Sequence, residues 1–337
     1  MSRAGRRTIV MLTGLALAGL ASWLLGCGGS SVGSVGGPSD GEGLKVVATT
    51  SVLADIAQQV AGDRFRIEAL IPPGTDPHSF EPTPGDLRRI VGADLVIVNG
   101  AGLEGDLEDY LNDVDESSIV VASEGLTSRT PAPGEPGHVA DGEEHAEEAE
   151  EDADEQAHEG EADPHFWLDP VLVRTYVQNI AAAFERADPT HAAEYAAGAE
   201  AFDRELTELD AWTSEQVAAL PAERRKLVMN HASHGYWADR YGFDVVGAVI
   251  PSVSTGSAPT ARDLAELLET IEREGVPAIF VQTGENPRLA SQIAADTGIA
   301  VVDDLYTGSL SETDGVAPSY LEMMRYNTER IVEALKP

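Results

Sequence analysis

The feature that most constrains the fold is a repeated alternation of short β-rich runs with amphipathic helical patterns. One series begins at residue 44 and includes the buried-type run 93–98. A second series with the same rhythm occupies residues 222–337. Strands that alternate with helices at this spacing predict parallel sheets with helices on both faces. The sequence therefore predicts an α/β protein with two αβ lobes.

The stretch between the two series has a helical pattern of unusual length. From His191 to about Leu220, Gly198 is the only glycine and proline is absent. Thirty helical residues would span roughly 45 Å, more than one small domain needs. We therefore predict a rigid linking helix over 188–221, between a lobe at 44–187 and a second lobe at 222–337.

The first residues have the layout of a secretory signal peptide. A positively charged region precedes an apolar run over 8–25. Gly26 then precedes Cys27, an arrangement that resembles a bacterial lipobox and implies cleavage before Cys27 and acylation of its thiol. A plain signal peptide with a chance cysteine, or an uncleaved membrane anchor, would have the same layout. Residues 1–26 are thus a predicted signal peptide, and 27–43 a lipidated, flexible tether rich in Gly, Ser and Pro.

Charge and cysteine content narrow the partners and the compartment. The formal net charge is −36, which argues against nucleic acid and against an anionic membrane surface as direct partners. Cys27 is the only cysteine, so the exported body cannot contain an internal disulfide. We expect a protein attached by lipid to the outer face of the cytoplasmic membrane, with export by the general or the twin-arginine route both open.

An acidic segment over 127–162 interrupts the first αβ series. Prolines and glycines lead into a run of Asp and Glu that also contains His138, His145 and His158. Few apolar side chains are available to bury, so we expect a disordered loop. It is either a solvated linker or a low-affinity collector of divalent cations, since imidazole and carboxylate are both metal ligands. Its position directly before His165 favours the collector.

Three histidines lie where a metal site is expected in such a fold. His78 and His231 follow predicted strands and His165 follows the acidic segment, and sites in open α/β sheets form outside the carboxyl ends of strands. Imidazole suits zinc and other borderline metals. A single histidine in such a place is more often a satisfied loop or core residue, so both interpretations stay open. Three nearby carboxylates could accept the distal imidazole N–H groups and fix the tautomers: Asp76, Glu81 and Asp169.

The segments around these histidines are specific. The stretches Thr75-Asp76-Pro77-His78, Asp163-Pro164-His165-Phe166-Trp167-Leu168-Asp169-Pro170 and Asn230-His231-Ala232-Ser233-His234-Gly235-Tyr236-Trp237 resemble signature segments of the zinc/manganese solute-binding proteins of ABC importers. The resemblance extends over about 44–335. It implies two αβ lobes bridged by one long helix, with a metal site at the lobe interface. It also implies His78, His165 and His231 as ligands, with an ABC permease and its ATPase as partners.

One position departs from the pattern of that family. Where members with a carboxylate as fourth ligand usually have Asp, this chain has Gly308. His234, Asp303, Asp304 or a water could complete the coordination sphere. Three imidazoles without an obvious carboxylate favour zinc, and manganese is the alternative.

Two other classes of protein, a zinc hydrolase and a surface adhesin, fit the sequence less well than a metal receptor. A secreted zinc hydrolase would need an open coordination position with a general base beside it, and the chain has neither a His-Glu-x-x-His nor a Gly-x-Ser-x-Gly motif. A surface adhesin would need a protein-binding face, which nothing in the sequence indicates. We therefore predict a monomeric receptor, not an enzyme, that carries zinc to a permease as transported cargo.

Overall fold

The computed structural model describes residues 43–129, 131, 135–136 and 162–337. The predicted signal peptide, Cys27 and most of its tether lie outside the described residues, as do His138, His145 and His158 of the acidic segment. Among the described residues, no helix combines the length and apolar character that a membrane span requires.

The first lobe is built on a parallel four-stranded sheet with the strand order β2-β1-β3-β4. The strands are short and apolar, and β3 is buried along its whole length, as expected where helices cover both faces of a sheet. The elements are β1 (Val46–Ala48), α1 (Ser51–Ala61), β2 (Ile67–Ala69), α2 (Pro84–Val91), β3 (Leu95–Val98), α3 (Glu108–Leu111) and β4 (Ile119–Val121).

Local sequence signals place the helix starts in this lobe. The Thr50 side chain accepts a hydrogen bond from the Leu53 backbone N–H and begins α1 directly after β1. Thr83 and Asp86 form a reciprocal capping box at the start of α2, where Pro84 occupies the first turn. Both helices therefore begin just beyond the carboxyl edge of the sheet, close to where His78 lies.

The second lobe repeats the architecture with the strand order β6-β5-β7-β8, again fully parallel. The strand β5 ends at His231, which therefore lies at the carboxyl edge of this sheet. The elements are β5 (Lys226–His231), α6 (Gly235–Tyr241), β6 (Asp244–Ile250), α7 (Ala261–Glu274), β7 (Ala278–Gln282), α8 (Arg288–Thr297), β8 (Ala300–Leu305) and α9 (Tyr320–Leu335).

Two helices connect the sheets. The helix α4 (Pro170–Ala187) is followed by α5 (Ala192–Ala218), whose 27 residues correspond to about 40 Å. One continuous apolar core includes side chains of α4 and α5 together with residues of both sheets, such as Ile97 and Phe280. The prediction of an α/β fold with two parallel sheets joined by one long helix is therefore confirmed.

Gly198 allows the long helix to approach the first lobe closely. A Cβ atom at this position would lie 2.5 Å from the Val60 carbonyl oxygen of α1. That oxygen belongs to helix backbone and cannot rotate away, so a larger residue must push the two helices apart. The one glycine in the predicted linking helix thus has a packing reason.

We expect Gly198→Ala to destabilise the protein. Overpacking against α1 costs about 1–3 kcal/mol, whereas the better helix propensity of alanine returns about 1 kcal/mol. Urea unfolding should show a net loss of up to about 2 kcal/mol. Ala197→Gly at the neighbouring exposed position isolates the propensity contribution, and a stabilised Gly198→Ala variant would contradict the close-packing account.

Candidate metal centre

Each of the three histidines is presented by a local structure that follows from its sequence. His78 lies in a 3-10 turn, Pro77–Ser79, whose start is capped by Asp76 through the His78 backbone N–H at 3.1 Å. His165 precedes a second 3-10 turn, Phe166–Leu168. His231 is the last residue of β5. Two turns and one strand end therefore deliver one imidazole each.

The three rings point their Nε2 atoms toward one another. The Nε2 atoms of His78 and His165 are 3.2 Å apart, and those of His231 and His165 are 3.3 Å apart. Two nitrogen ligands of a tetrahedral zinc ion, each about 2.0–2.1 Å from the metal, are about 3.3 Å from each other. Within the described part of the chain, these three residues form the one group with metal-ligand spacing.

Two buried carboxylates orient the rings from behind. Asp163 Oδ1 lies 2.9 Å from His165 Nδ1, and Glu285 Oε1 lies 2.8 Å from His231 Nδ1. Glu285 also accepts hydrogen bonds from Asn230 Nδ2 at 2.5 Å and Gln282 Nε2 at 2.7 Å. With Nδ1–H donating to a carboxylate, the lone pair of each ring is on Nε2 and faces the centre of the cluster.

The prediction of which carboxylates orient the rings is wrong. Asp169 accepts from the Val171 backbone N–H and caps α4, Asp76 accepts from the backbone rather than the ring of His78, and Glu81 is exposed. Asp163 lies in the same motif as His165, so its role has a local signal. Glu285 comes from the turn after β7, and only the folding of the second sheet brings it to His231.

Burial controls the protonation of the cluster. His165 is 1% exposed and His231 is 2% exposed. Burial and the neighbouring imidazoles hold the pKa of His78 and of His165 well below the usual range, so both rings are neutral at pH 7. Burial raises the pKa of Asp163 to about 7, against the opposing effects of the His165 backbone N–H and Arg129. Neutral imidazole is the form that binds metal.

The candidate side chains for a fourth ligand do not belong to this group among the described residues. His234 is buried and its Nδ1 contacts Ser233 Oγ at 2.9 Å, while burial and the neighbouring His231 and His165 lower its pKa to about 3. Asp304 accepts hydrogen bonds from Tyr326 and Arg330, and the structure leaves Asp303 exposed. Among the described residues, none of these three candidates joins the three imidazoles.

A steric constraint explains why position 308 is a glycine. A Cβ atom there would lie 2.6 Å from Cδ and 2.8 Å from Cγ of Pro77, the residue before His78. The segment after β8 therefore passes directly over the turn that carries His78. A carboxylate side chain at 308 would require this turn to move.

Hydrogen bonds between the lobes close over the site. Trp167 Nε1 donates to the Thr307 carbonyl oxygen at 2.7 Å, beside the His165 turn. Thr255 Oγ1 donates to Asp76 Oδ2 at 2.6 Å, beside the His78 turn. The cluster therefore lies at the interface of the two lobes, as the resemblance implied.

The described residues form a two-lobed α/β body with a long helix, and a buried histidine cluster lies between the lobes, an arrangement suited to a protein that binds a metal ion. Residues 46–334 match the family described as zinc-uptake complex component A, periplasmic (ZnuA). The chain belongs to this family, whose members are metal solute-binding components of ABC transporters and not enzymes. The predictions of family, of a non-enzymatic protein and of an extracytoplasmic lipoprotein are confirmed.

Named relatives extend over almost the whole chain. The manganese-binding lipoprotein MntA of Halalkalibacterium halodurans is 30% identical over 310 residues, covering 92% of this chain and 93% of the relative. MntA of Bacillus subtilis is also 30% identical, covering 93% and 95%. The solved structure of the periplasmic zinc-binding protein TroA from Treponema pallidum superposes with a TM-score of 0.74 at 27% identity, covering 87% of this chain and 99% of TroA.

We expect Glu285→Gln to weaken metal binding by about 10–100-fold, the usual effect of losing an outer carboxylate behind a histidine ligand. Chelator competition measures the affinity, and circular dichroism checks the fold. Asp304→Asn is the matched control, because its carboxylate bonds Tyr326 and Arg330 instead of a histidine. An equal loss in the control would contradict the role of Glu285.

Proposed function

We propose that this protein captures a divalent manganese or zinc ion outside the cytoplasm and delivers it to an ABC permease driven by its ATPase. The observation that carries the proposal is the convergence of three buried Nε2 atoms at the lobe interface. His78, His165 and His231 are the proposed ligands. The protein acts as a monomer attached to the membrane through acylated Cys27, and the metal is cargo rather than a resident cofactor.

Capture is favoured because the site needs little reorganisation. The three imidazoles already face one point, and Asp163 and Glu285 hold two of them by their Nδ1 atoms. Ligands that are ordered before binding lose less conformational entropy when the metal arrives. Tight binding follows from this order and from the exclusion of water around His165 and His231.

Release follows from the division of ligands between the lobes. His78 belongs to the first sheet's loops, whereas His231 ends a strand of the second sheet. Any movement that separates the lobes removes at least one ligand from the metal. We propose that docking to the permease produces this separation.

Two observations favour different metals. The curated relatives MntA from two organisms are named as manganese-binding, which supports manganese better than the zinc predicted from the sequence. The donor set of three imidazoles without a carboxylate in the cluster favours zinc, and TroA is named as zinc-binding. Manganese and zinc therefore both stand as candidate cargo.

We expect both ions to compete for one tight site in the purified protein, with zinc bound more tightly. Nitrogen and oxygen sites generally prefer zinc to manganese, so this preference alone does not identify the cargo. Uptake of labelled manganese and labelled zinc by cells with and without the protein identifies it. Loss of manganese uptake alone would establish manganese, loss of zinc uptake alone would establish zinc, and no change in either would contradict the transport role.

We expect His231→Ala to weaken binding of either metal by more than about 100-fold, beyond the range for outer partners. The change removes a donor atom and leaves Glu285 without its ring partner. His191→Ala is a matched control, because His191 is half-buried and contacts Asp188 on the linking segment, remote from the cluster. Wild-type affinity in calorimetry for His231→Ala would refute its role as a ligand.

The acidic segment is proposed to collect metal for this site. Its flanking residues meet beside the cluster, where Arg129 Nη1 lies 4.0 Å from Asp163 Oδ2, two residues before His165. An ion held weakly by His138, His145 or His158 would therefore be released close to the tight site. The high density of carboxylates in this segment supports weak binding of several ions.

We expect deletion of 137–161 to leave one tight metal site and to remove the weaker ones. The deletion retains Glu135, which pairs with Arg129 at 2.8 Å, so the flanking contacts survive. Calorimetric titration gives the number and affinity of sites. Replacing the segment's three histidines with Gln in the full chain tests the imidazoles alone. Loss of the tight site on deletion would mean that the segment belongs to the primary site.

A further inference from the structure

Arg129 occupies an unusual position for a basic residue in this acidic protein. It lies on the segment that leaves the first sheet after β4, and its side chain is only 12% exposed. Its guanidinium faces three carboxylates through three different nitrogens. Nη2 lies 2.8 Å from Glu135, Nε lies 3.0 Å from Asp239, and Nη1 lies 4.0 Å from Asp163.

The backbone of Arg129 is also linked to Asp163, through the hydroxyl group of Tyr236. Its N–H donates to the Tyr236 hydroxyl oxygen at 3.0 Å, and the Tyr236 O–H donates to the carbonyl oxygen of Asp163 at 2.9 Å. The side chain of Arg129 thus faces Asp163 directly, and its main chain is linked to Asp163 through Tyr236. Tyr236 and Asp239 belong to α6, so the second lobe forms the platform for these contacts.

The guanidinium of Arg129 packs against α6 where the first residue of that helix, Gly235, has no side chain. A Cβ atom at Gly235 would lie 2.5 Å from Cζ and 2.8 Å from Cδ of Arg129. Any other residue at the start of α6 would therefore displace the arginine. The glycine in the motif after His231 has a packing partner here that the sequence did not reveal.

The aspartate that Arg129 faces is the one that orients His165. Asp163 Oδ1 accepts from both the backbone N–H of His165, at 3.0 Å, and its Nδ1, at 2.9 Å. The other oxygen, Oδ2, faces Arg129. Arg129 is the cation among three carboxylates, and without it Glu135 and Asp239 would repel the buried Asp163.

We propose that Arg129 is a positioning residue for metal capture, which holds Asp163 in the orientation that aims His165 at the metal. The inference rests on the metal-binding function proposed above. Arg129 contacts no metal ligand itself and acts through Asp163. It also ties the start of the acidic segment, through Glu135, to the second lobe, through Asp239.

The test compares zinc binding by wild-type protein, Arg129→Met and Arg129→Lys, with stopped-flow measurement of association and dissociation. We expect Arg129→Met to lower the affinity by about 10–100-fold, mainly through faster dissociation, because His165 is no longer held in place. Arg129→Lys should recover part of the loss, since it retains the charge without the forked geometry. A general structural defect would instead lower the melting temperature without rescue by lysine, and that result would overturn the proposal.

Arg240→Met is the matched control. Arg240 is on α6, pairs with Asp210, and lies 4.0 Å from Asp169, which caps α4 instead of orienting a histidine. Its loss should leave zinc affinity unchanged. If Arg240→Met and Arg129→Met weaken binding equally, the proposal is overturned.

A double-mutant cycle with Asp163→Asn separates the inference from the proposed function. If Arg129 acts through Asp163, the double variant binds zinc no more weakly than Asp163→Asn alone. Additive losses would overturn the inference while leaving metal capture intact. Failure of the wild-type protein to bind zinc or manganese would instead refute the proposed function.

Discussion

The structure depends most on the pairing of buried imidazoles with buried carboxylates between the two lobes. Burial alone would make both groups costly, and each compensates the other through an Nδ1–H···O hydrogen bond. Asp163 and Glu285 thereby fix the rings of His165 and His231 with their Nε2 atoms toward the centre of the cluster. The third ring, that of His78, is held by a 3-10 turn that begins at Pro77 and is capped by Asp76. These three supports determine where a metal can bind.

The rest of the fold serves to keep those supports in register. The helix α5 packs along α4, α1 and α9, and its core is continuous with that of both sheets. Gly198 brings α5 close to α1, and Gly308 brings the segment after β8 over Pro77. A side chain at either position would push the packed segments apart, because the Val60 carbonyl oxygen belongs to a helix and the Pro77 ring cannot rotate away.

The chemistry of the site and the names of the relatives bear on the cargo in different ways. The family relationship establishes a manganese or zinc receptor, and the candidate donor group in the structure consists of three imidazole nitrogens. A fourth ligand from Gly308 is excluded by the absence of a side chain. An ion that accepts three imidazoles together with water is compatible with the cluster, and the choice between the two metals is a matter of affinity and supply rather than of fold.

Much of this protein could be predicted from its sequence. Periodicity was sufficient for the two αβ lobes and the linking helix, because burial on one face imposes a repeat that is visible locally. The histidine motifs indicated His78, His165 and His231 as one group, which the structure brings together, because each lies in a short segment with its own turn signals. Their role as ligands stays a prediction. Tertiary structure alone decided the partners of those histidines. Glu285 reaches His231 from another strand's turn, Arg129 contacts both Asp163 and Asp239 of α6, and His234 remains outside the cluster although it is only three residues from His231. Such contacts join residues distant in the chain, and their geometry is fixed by how two sheets pack on one helix, which no local pattern records.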